Sequence, residues 1–197
     1  MSLSWLKSYS RRWRGQTGAD ARDSGPHRQF RAAVQEGLAG DRTTLEGLLQ
    51  MPGALGIADE EVELELEMVQ GALDLLALKE SLVRDGLPVL EHQHKALGAD
   101  RCHFRCSAFT VDESGHRPGR LFLTHRRVIF LASPLLAVPW SAALSINDEE
   151  RDIVVSTVTP GVAYRFHCNS FSDARCGVLI AQTLMRQARP SLEPERR

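Results

Sequence analysis

Residues 119–132 read GRLFLTHRRVIFLA, and the way this stretch folds decides the architecture of the chain. Two apolar runs, Leu121–Leu123 and Val128–Leu131, flank the polar, basic interruption Thr124-His125-Arg126-Arg127. Each run is too short for a helix and suits a strand. The simplest reading is two antiparallel strands joined by a tight turn. Thr124 would bond the local backbone there, and the charged side chains would stay in water.

Working outward, the same texture of short apolar runs between turn residues begins at residue 101. It predicts strands near 101–110, 119–124, 127–132, 135–140, 142–147, 152–157 and 162–168. Breaks fall at Ser114-Gly115, Pro118-Gly119, Ser133-Pro134, Pro139, Asn147-Asp148 and Pro160-Gly161. Val162, Tyr164, Phe166 and Cys168 alternate with Ala163, Arg165 and His167, as a half-buried strand requires. Ser170 or Ser172 then caps a helix running through Gln187. Its stripe is Phe171, Ala174, Val178, Ala181, Met185 and Ala188. Evenly spaced strands predict a sandwich or barrel, and the last helix would close one end of it.

The region before the strands is helical. Pro26 suits a helix start, and Phe30, Ala33, Val34 and Leu38 keep helical spacing until Gly40. Asp41 can cap a second helix that buries Leu45, Leu48 and Leu49 and ends before Pro52. Asp59 opens a long third helix, 59–85, in which Val62, Leu66, Val69, Leu73, Leu76 and Val83 form a stripe. Met68, Ala72, Leu75 and Leu82 widen that stripe, and Gly86 and Pro88 stop the helix. Residues 59–91 hold ten acids against two bases, which reads as a solvated helix face.

Residues 1–14 are basic, with Lys7, Arg11, Arg12 and Arg14 and no acid before Asp20. Trp5, Tyr9 and Trp13 recur every four residues, so a helix here would carry an aromatic edge beside its charges. That is a pattern of segments lying in a membrane interface. Residues 15–27 read as a flexible linker and 189–197 as a disordered tail. The divisions are thus a basic segment and linker (1–27), a helical segment (28–98), a β-domain (99–188) and the tail.

Composition excludes some classes. The chain has 197 residues with a formal net charge of −1, against the strongly basic balance of a nucleic-acid binder. No apolar run approaches the roughly 18 residues that a transmembrane helix needs. No secretory leader is visible either, so a cytoplasmic protein is expected. Cys102, Cys106, Cys168 and Cys176 lack the paired C-x2-C spacing of zinc knuckles. Cys102, Phe104 and Cys106 would share one strand face, which predicts reduced core residues. The His-x-His of EHQHK, 91–95, lacks the roughly 250-residue barrel that such a metal pair would need. Cys168 and His167 point to opposite strand faces, and neither a phosphate loop nor a G-x-S-x-G elbow is present. A non-enzymatic protein without cofactors is expected.

GRLFLTHRRVIFL resembles the GRAM-domain pattern of a Gly-initiated strand, a Thr-x-x-Arg turn and an Ile-Phe strand. VPW-x3-L-x-I, 138–146, and YRFHCNSFSDA, 164–174, resemble the ending of that domain and stand in the right order. The resemblance covers residues 99–188 and leaves the N-terminal helices aside. It implies an α+β chain: an N-terminal helical segment, then a pleckstrin-homology-like, seven-stranded antiparallel β-sandwich or barrel closed by a C-terminal helix. It also implies a binding role, with anionic lipid or a protein as the partner. Arg120, His125, Arg126 and Arg127 are the bases of the domain placed for such contact, since arginine offers a fork matched to phosphate. Trp5, Lys7, Tyr9, Arg11, Arg12, Trp13 and Arg14 are the second candidate surface. Residues 99–188 hold ten bases and eight acids, a weak field for a lipid surface. The protein-interaction alternative therefore stays open.

Overall fold

The computed structural model describes residues 25–91, 94–112 and 115–189. Their elements are α1 (Gly25–Gly37), α2 (Arg42–Leu55) and α3 (Glu63–Asp85), then β1 (Cys102–Asp112), β2 (Gly115–Thr124), β3 (Arg127–Leu131), β4 (Leu136–Pro139), β5 (Ala143–Glu149), β6 (Asp152–Thr157) and β7 (Ala163–Cys168), and finally α4 (Phe171–Ala188). Single 3-10 turns occur at Asp59–Glu61 and Lys95–Leu97. The chain forms two compact units that divide after Leu66.

The first unit is helical. Phe30, Val34, Leu45 and Leu48 are buried, and Arg31 pairs with Glu65 at 2.8 Å. Asp41 caps α2 by accepting the Thr44 N–H at 2.8 Å, which also holds its carboxyl below the ordinary range. α2 does not end before Pro52. It continues to Leu55 because proline removes only the one bond it would have donated, and the Pro52 carbonyl is used by Ile57 N–H at 2.9 Å. Gly56, at φ 67°, then closes the helix in the left-handed region.

The long helix also departs from expectation at its start. Asp59–Glu61 is a 3-10 turn, Val62 leaves helical geometry, and the α-helix begins at Glu63. Its predicted stripe is buried at Val62, Val69, Ala72 and Leu73 but runs out at Val83, which is 90% exposed. Gly86, at φ 77°, provides the expected stop.

In the second unit the seven strands form one antiparallel sheet in the order β4-β3-β2-β1-β7-β6-β5. Every strand contributes to one core, from Leu121, Val128 and Phe130 to Ile153, Val155 and Phe166. The Phe130 and Phe166 rings lie 5.3 Å apart, yet three strand spacings separate β3 from β7, about 14 Å in a flat sheet. The sheet therefore curls around its inner face, and α4 covers the opening with Phe171, Ala174, Val178, Ile180, Ala181 and Leu184. This is the expected α+β, pleckstrin-homology-like architecture. Ser170, rather than Ser172, caps α4 by accepting the Asp173 N–H at 3.0 Å, and Glu67 of α3 accepts the Phe171 N–H at 3.0 Å. Gly71 permits this approach, since a Cβ there would lie 3.0 Å from Phe171 and Ser172. Beyond α4, the Arg189 guanidinium donates to the Ala143 carbonyl.

Two departures in the strands have physical causes. The predicted break at Pro118-Gly119 lies inside β2. Pairing with β3 begins only at Arg120, so Pro118 sits where β2 has β1 as its one neighbour, a place that tolerates a missing donor. Gly119 makes room for the Phe130 ring, which a Cβ would meet at 2.6 Å. Second, Cys102, Phe104 and Cys106 do not share a face. The register runs from Cys102↔Thr124 to Phe104↔Leu123, a bulge in which His103 is the extra residue. Cys102 thereby joins Leu97, Phe122 and Ile129 in a small outer cluster, while Cys106 lies in the main core.

Candidate functional site

The β2–β3 turn is a knot of hydrogen bonds. Thr124, with no exposure, donates through Oγ1 to the Arg127 carbonyl at 2.9 Å and accepts the Arg126 and Arg127 N–H groups at 3.2 and 3.1 Å. The Trp140 indole donates to the Thr124 carbonyl at 2.8 Å. Threonine's role as a local backbone ligand is as expected. The expectation that all the charges stay in water is not. Asp100, 4% exposed, accepts Arg127 Nε at 2.8 Å and lies 3.9 Å from Arg126 Nη1. A carboxylate buried this far needs a cation, and Arg127 supplies it. The turn thus presents Arg126 outward and holds Arg127 in an internal pair. His125 accepts the Arg101 N–H through Nδ1 at 3.1 Å.

Arg120 is exposed on the outer face, opposite Ser107 on β1 and Leu131 on β3. It stands four residues from Thr124, roughly 13 Å along the strand, so it does not form one patch with the turn. Trp5, Lys7, Tyr9, Arg11, Arg12, Trp13 and Arg14 lie outside the described residues, as does the linker up to Ser24.

A recess of about 310 Å³ opens near the start of β2, at the far end of that strand from the basic turn. β1 and β7 pair in register only at Ala108↔Cys168 and Phe109↔His167, so the seam between them parts beyond Phe109. Thr110 and Arg117, a cross-strand pair, line the recess with Tyr164, Pro134 and Leu135. The Thr110 hydroxyl is buried and has no hydrogen-bond partner among the described residues. Leu135 is 52% exposed, and Val162, next to lining residue Ala163, is 37% exposed. The sequence reading missed this site because it broke β2 after Arg117. Thr110 and Arg117 stand three residues either side of the pair Glu113-Ser114 in the sequence, which was the available signal.

The outer face also carries a charged rung. His167 Nδ1 and Asp152 Oδ1 lie 2.5 Å apart, and Arg165 Nη1 donates to Asp152 Oδ2 at 2.6 Å. Burial pushes the Asp152 carboxyl up, but the hydrogen bonds and charges of His167 and Arg165 outweigh it and hold the group below its ordinary value. The Phe109 ring stacks 4.5 Å from His167 and 5.2 Å from His116.

Cys102, Cys106 and Cys168 are buried, as expected, whereas Cys176 is only partly so. Cys106 and Cys168 bring their sulfurs to 3.9 Å inside the sheet, and Cys106's hydrogen bond together with burial pushes the Cys168 thiol far up. Cys176 is raised to about 11, first by burial. Such thiols are poor nucleophiles. His94 accepts the Ala96 N–H at 3.2 Å and caps the Lys95–Leu97 turn.

No protein-family model matches the chain, the GRAM pattern included, and no curated protein matches it. Similar solved structures include the C-terminal domain of an unknown protein from Leishmania infantum, 15% identical over 46% of this chain and 90% of that one, with TM-score 0.39. Another is a complex of human RhoA, its inhibitor and the DH/PH domain of human ARHGEF11, at 14% identity over 79% of this chain and 54% of that one, with TM-score 0.39. A third, Vav1 with an allosteric inhibitor, is 8% identical over 83% of this chain and 47% of that one, with TM-score 0.41. The chain spans about half the length of the latter two. Likeness at these values says nothing of what this chain binds.

Proposed function

We propose that this chain is a non-enzymatic binding module that contacts anionic membrane lipid from the cytoplasmic side. The observation that carries the reading is the recess beside β2. An arginine and an unpartnered, buried threonine hydroxyl lie within it, and exposed Leu135 and Val162 stand at its rim. A phosphate-bearing headgroup meets the first pair and acyl chains meet the second. The basic N-terminal segment adds long-range attraction. Four positive charges near an anionic surface contribute about 1 kcal/mol each, and Trp5, Tyr9 and Trp13 suit the headgroup region. The pairing of Arg127 with Asp100 supports ranking the β2–β3 turn below that segment at neutral pH. Among the described residues no helix is long and apolar enough to cross a membrane, which accords with peripheral contact.

The test is co-sedimentation with vesicles of phosphatidylcholine, with and without phosphatidylserine or phosphoinositide. Full-length protein should sediment only with the anionic vesicles and release as salt rises. Deleting residues 1–15 should remove most of the binding. Arg117→Gln should remove phosphoinositide preference, and Arg126→Glu/Arg127→Glu should remove little at neutral pH. If the full-length protein ignores every vesicle, the module is instead a protein-interaction scaffold. The near balance of charge in residues 99–188 favours that second reading, and an affinity pull-down would then return a stoichiometric partner.

A further inference from the structure

The fold assembles a basic surface that no single stretch of the sequence carries. Residues 94–105 and 122–127 hold five cations, Lys95, Arg101, Arg105, Arg126 and Arg127, against one carboxylate, Asp100. Asp100 is buried and pairs with Arg127, so it leaves the other four largely unneutralised. Lys95, Arg101, Arg105 and Arg126 are all exposed. Among the described residues, no carboxylate comes within ion-pair distance of Lys95, Arg101 or Arg105, and Arg126 has only its 3.9 Å approach to Asp100. Glu91, exposed beside the Leu90–Cys102 bridge, pairs with none of them.

Backbone and core contacts set these cations side by side. The Arg101 N–H donates to His125 Nδ1 at 3.1 Å, and the Arg101 carbonyl accepts the His125 N–H at 3.0 Å. Arg101 therefore stands against the turn that presents Arg126. Arg105 lies opposite Phe122 across the β1–β2 pairing, and Phe122 packs on Leu97 of the Lys95–Leu97 turn. A strand rise of about 3.3 Å per residue puts Arg101 and Arg105 roughly 10–13 Å apart, the path being shortened by the bulge at His103. Cations spread in this way do not converge on one phosphate. They suit a chain that carries its own charges at intervals. Alternate residues of an extended segment repeat on one side about every 6.6 Å, so two carboxylates four residues apart span the same distance. Each would meet an arginine fork matched to it.

The position of this surface decides between a lipid and a protein as its occupant. The recess opens near the start of β2, and the cations gather at the other end of that strand, about 30 Å of extended chain away. Physiological salt screens charge over about 8 Å, so a membrane that meets the recess lies beyond the reach of these arginines. We propose that the surface formed by Lys95, Arg101, Arg105 and Arg126 docks an acidic, carboxylate-rich segment of a partner protein while the recess end faces the membrane. The docking surface itself stands apart from the membrane reading. The choice of protein over lipid as its occupant rests on that reading.

The test titrates a peptide of alternating glutamate and serine into the full chain and follows the backbone amide resonances of Arg101, Arg105 and Arg126. Reading the isotherm at these positions keeps this surface separate from the basic residues 1–14. The amides should shift together along one saturable curve that weakens as salt rises. Arg101→Glu/Arg126→Glu turns two attractions into repulsions and should weaken the isotherm about tenfold. Arg101→Gln/Arg126→Gln, which spares the neighbouring Asp100 a second like charge, should weaken it about threefold. Lys79→Glu/Arg186→Glu makes the same change of net charge on α3 and α4 and should weaken it less than about twofold. Amides that do not shift, or an equal loss in the two charge-reversed variants, overturn the docking surface. A second arm adds phosphatidylserine vesicles, with which the chain should sediment and carry the peptide down undiminished. Vesicles that displace the peptide from Arg101, Arg105 and Arg126 overturn the protein occupant and give the surface to lipid. A chain that sediments with no vesicle refutes the membrane reading and the choice of occupant drawn from it, while the isotherm still decides the docking surface.

Discussion

Replacing Asp100 by alanine tests whether the β2–β3 turn is held from a distance of 27 residues or is self-sufficient. The carboxylate is nearly inaccessible, and its bond to Arg127 Nε is 2.8 Å, so the pair belongs to the class of charge-assisted hydrogen bonds that contribute about 1.5–3 kcal/mol. Two observations place the value low in that range. The Arg127 side chain is 38% exposed and regains water when its partner goes, and Thr124 keeps its own bond to the Arg127 carbonyl. Arg126, 71% exposed and 3.9 Å away, adds almost nothing. The expected cost is about 2 kcal/mol, which lowers the melting temperature by roughly 5–8 °C in a unit of this size. Asp100→Asn keeps an acceptor for Nε and loses the charge, so about half the shift should remain. Differential scanning calorimetry at neutral pH reads both. If both variants melt within about 1 °C of the parent, the turn does not depend on Asp100, and the account of Arg127 as the cation that Asp100 needs fails.

Other perturbations follow from particular contacts. Gly119→Ala sets a Cβ 2.5 Å from the Leu131 carbonyl and 2.6 Å from the Phe130 ring, and should cost about 2–3 kcal/mol by denaturant unfolding. An unchanged midpoint would mean that β3 gives way freely. Leu73→Asp buries a charge on the one fully packed turn of α3 and should cost several kcal/mol, whereas Val83→Asp, at a position 90% exposed, should cost almost nothing. Similar losses at the two sites would contradict the burial pattern. The Asp152 carboxyl, held below its ordinary 3.8, adds stability that is complete above that value and lost as pH falls through its folded value. Asp152→Asn should therefore flatten the acid limb of a melting-temperature profile between about pH 5 and about pH 2.5, and an unaltered limb would remove the pairing of Asp152 with His167 and Arg165 as its source.

What the sequence made legible was whatever depends on local periodicity. Seven strands, their order and the closing helix follow from apolar runs of two-residue period between turn residues, and from one stretch of helical period with a serine before it. What it hid depends on the phase between strands. Cys102, Phe104 and Cys106 share a face in any regular strand, and a single inserted residue, His103, separates them into two clusters. The same insertion aims His103 at Pro88, so a ring that reads as one more polar residue in a strand is buried. Arg127 likewise reads as solvated until Asp100 is brought beside it by a chain path that no window of ten or fifteen residues spans. Thr110 and Arg117 become one site only if β2 continues through Pro118, which a residue-by-residue reading treats as a stop. In each case the neighbours of these residues are set by pairing across strands. A search for sites in such a chain is therefore better begun from candidate registers, bulges included, than from clusters of charge in the linear sequence.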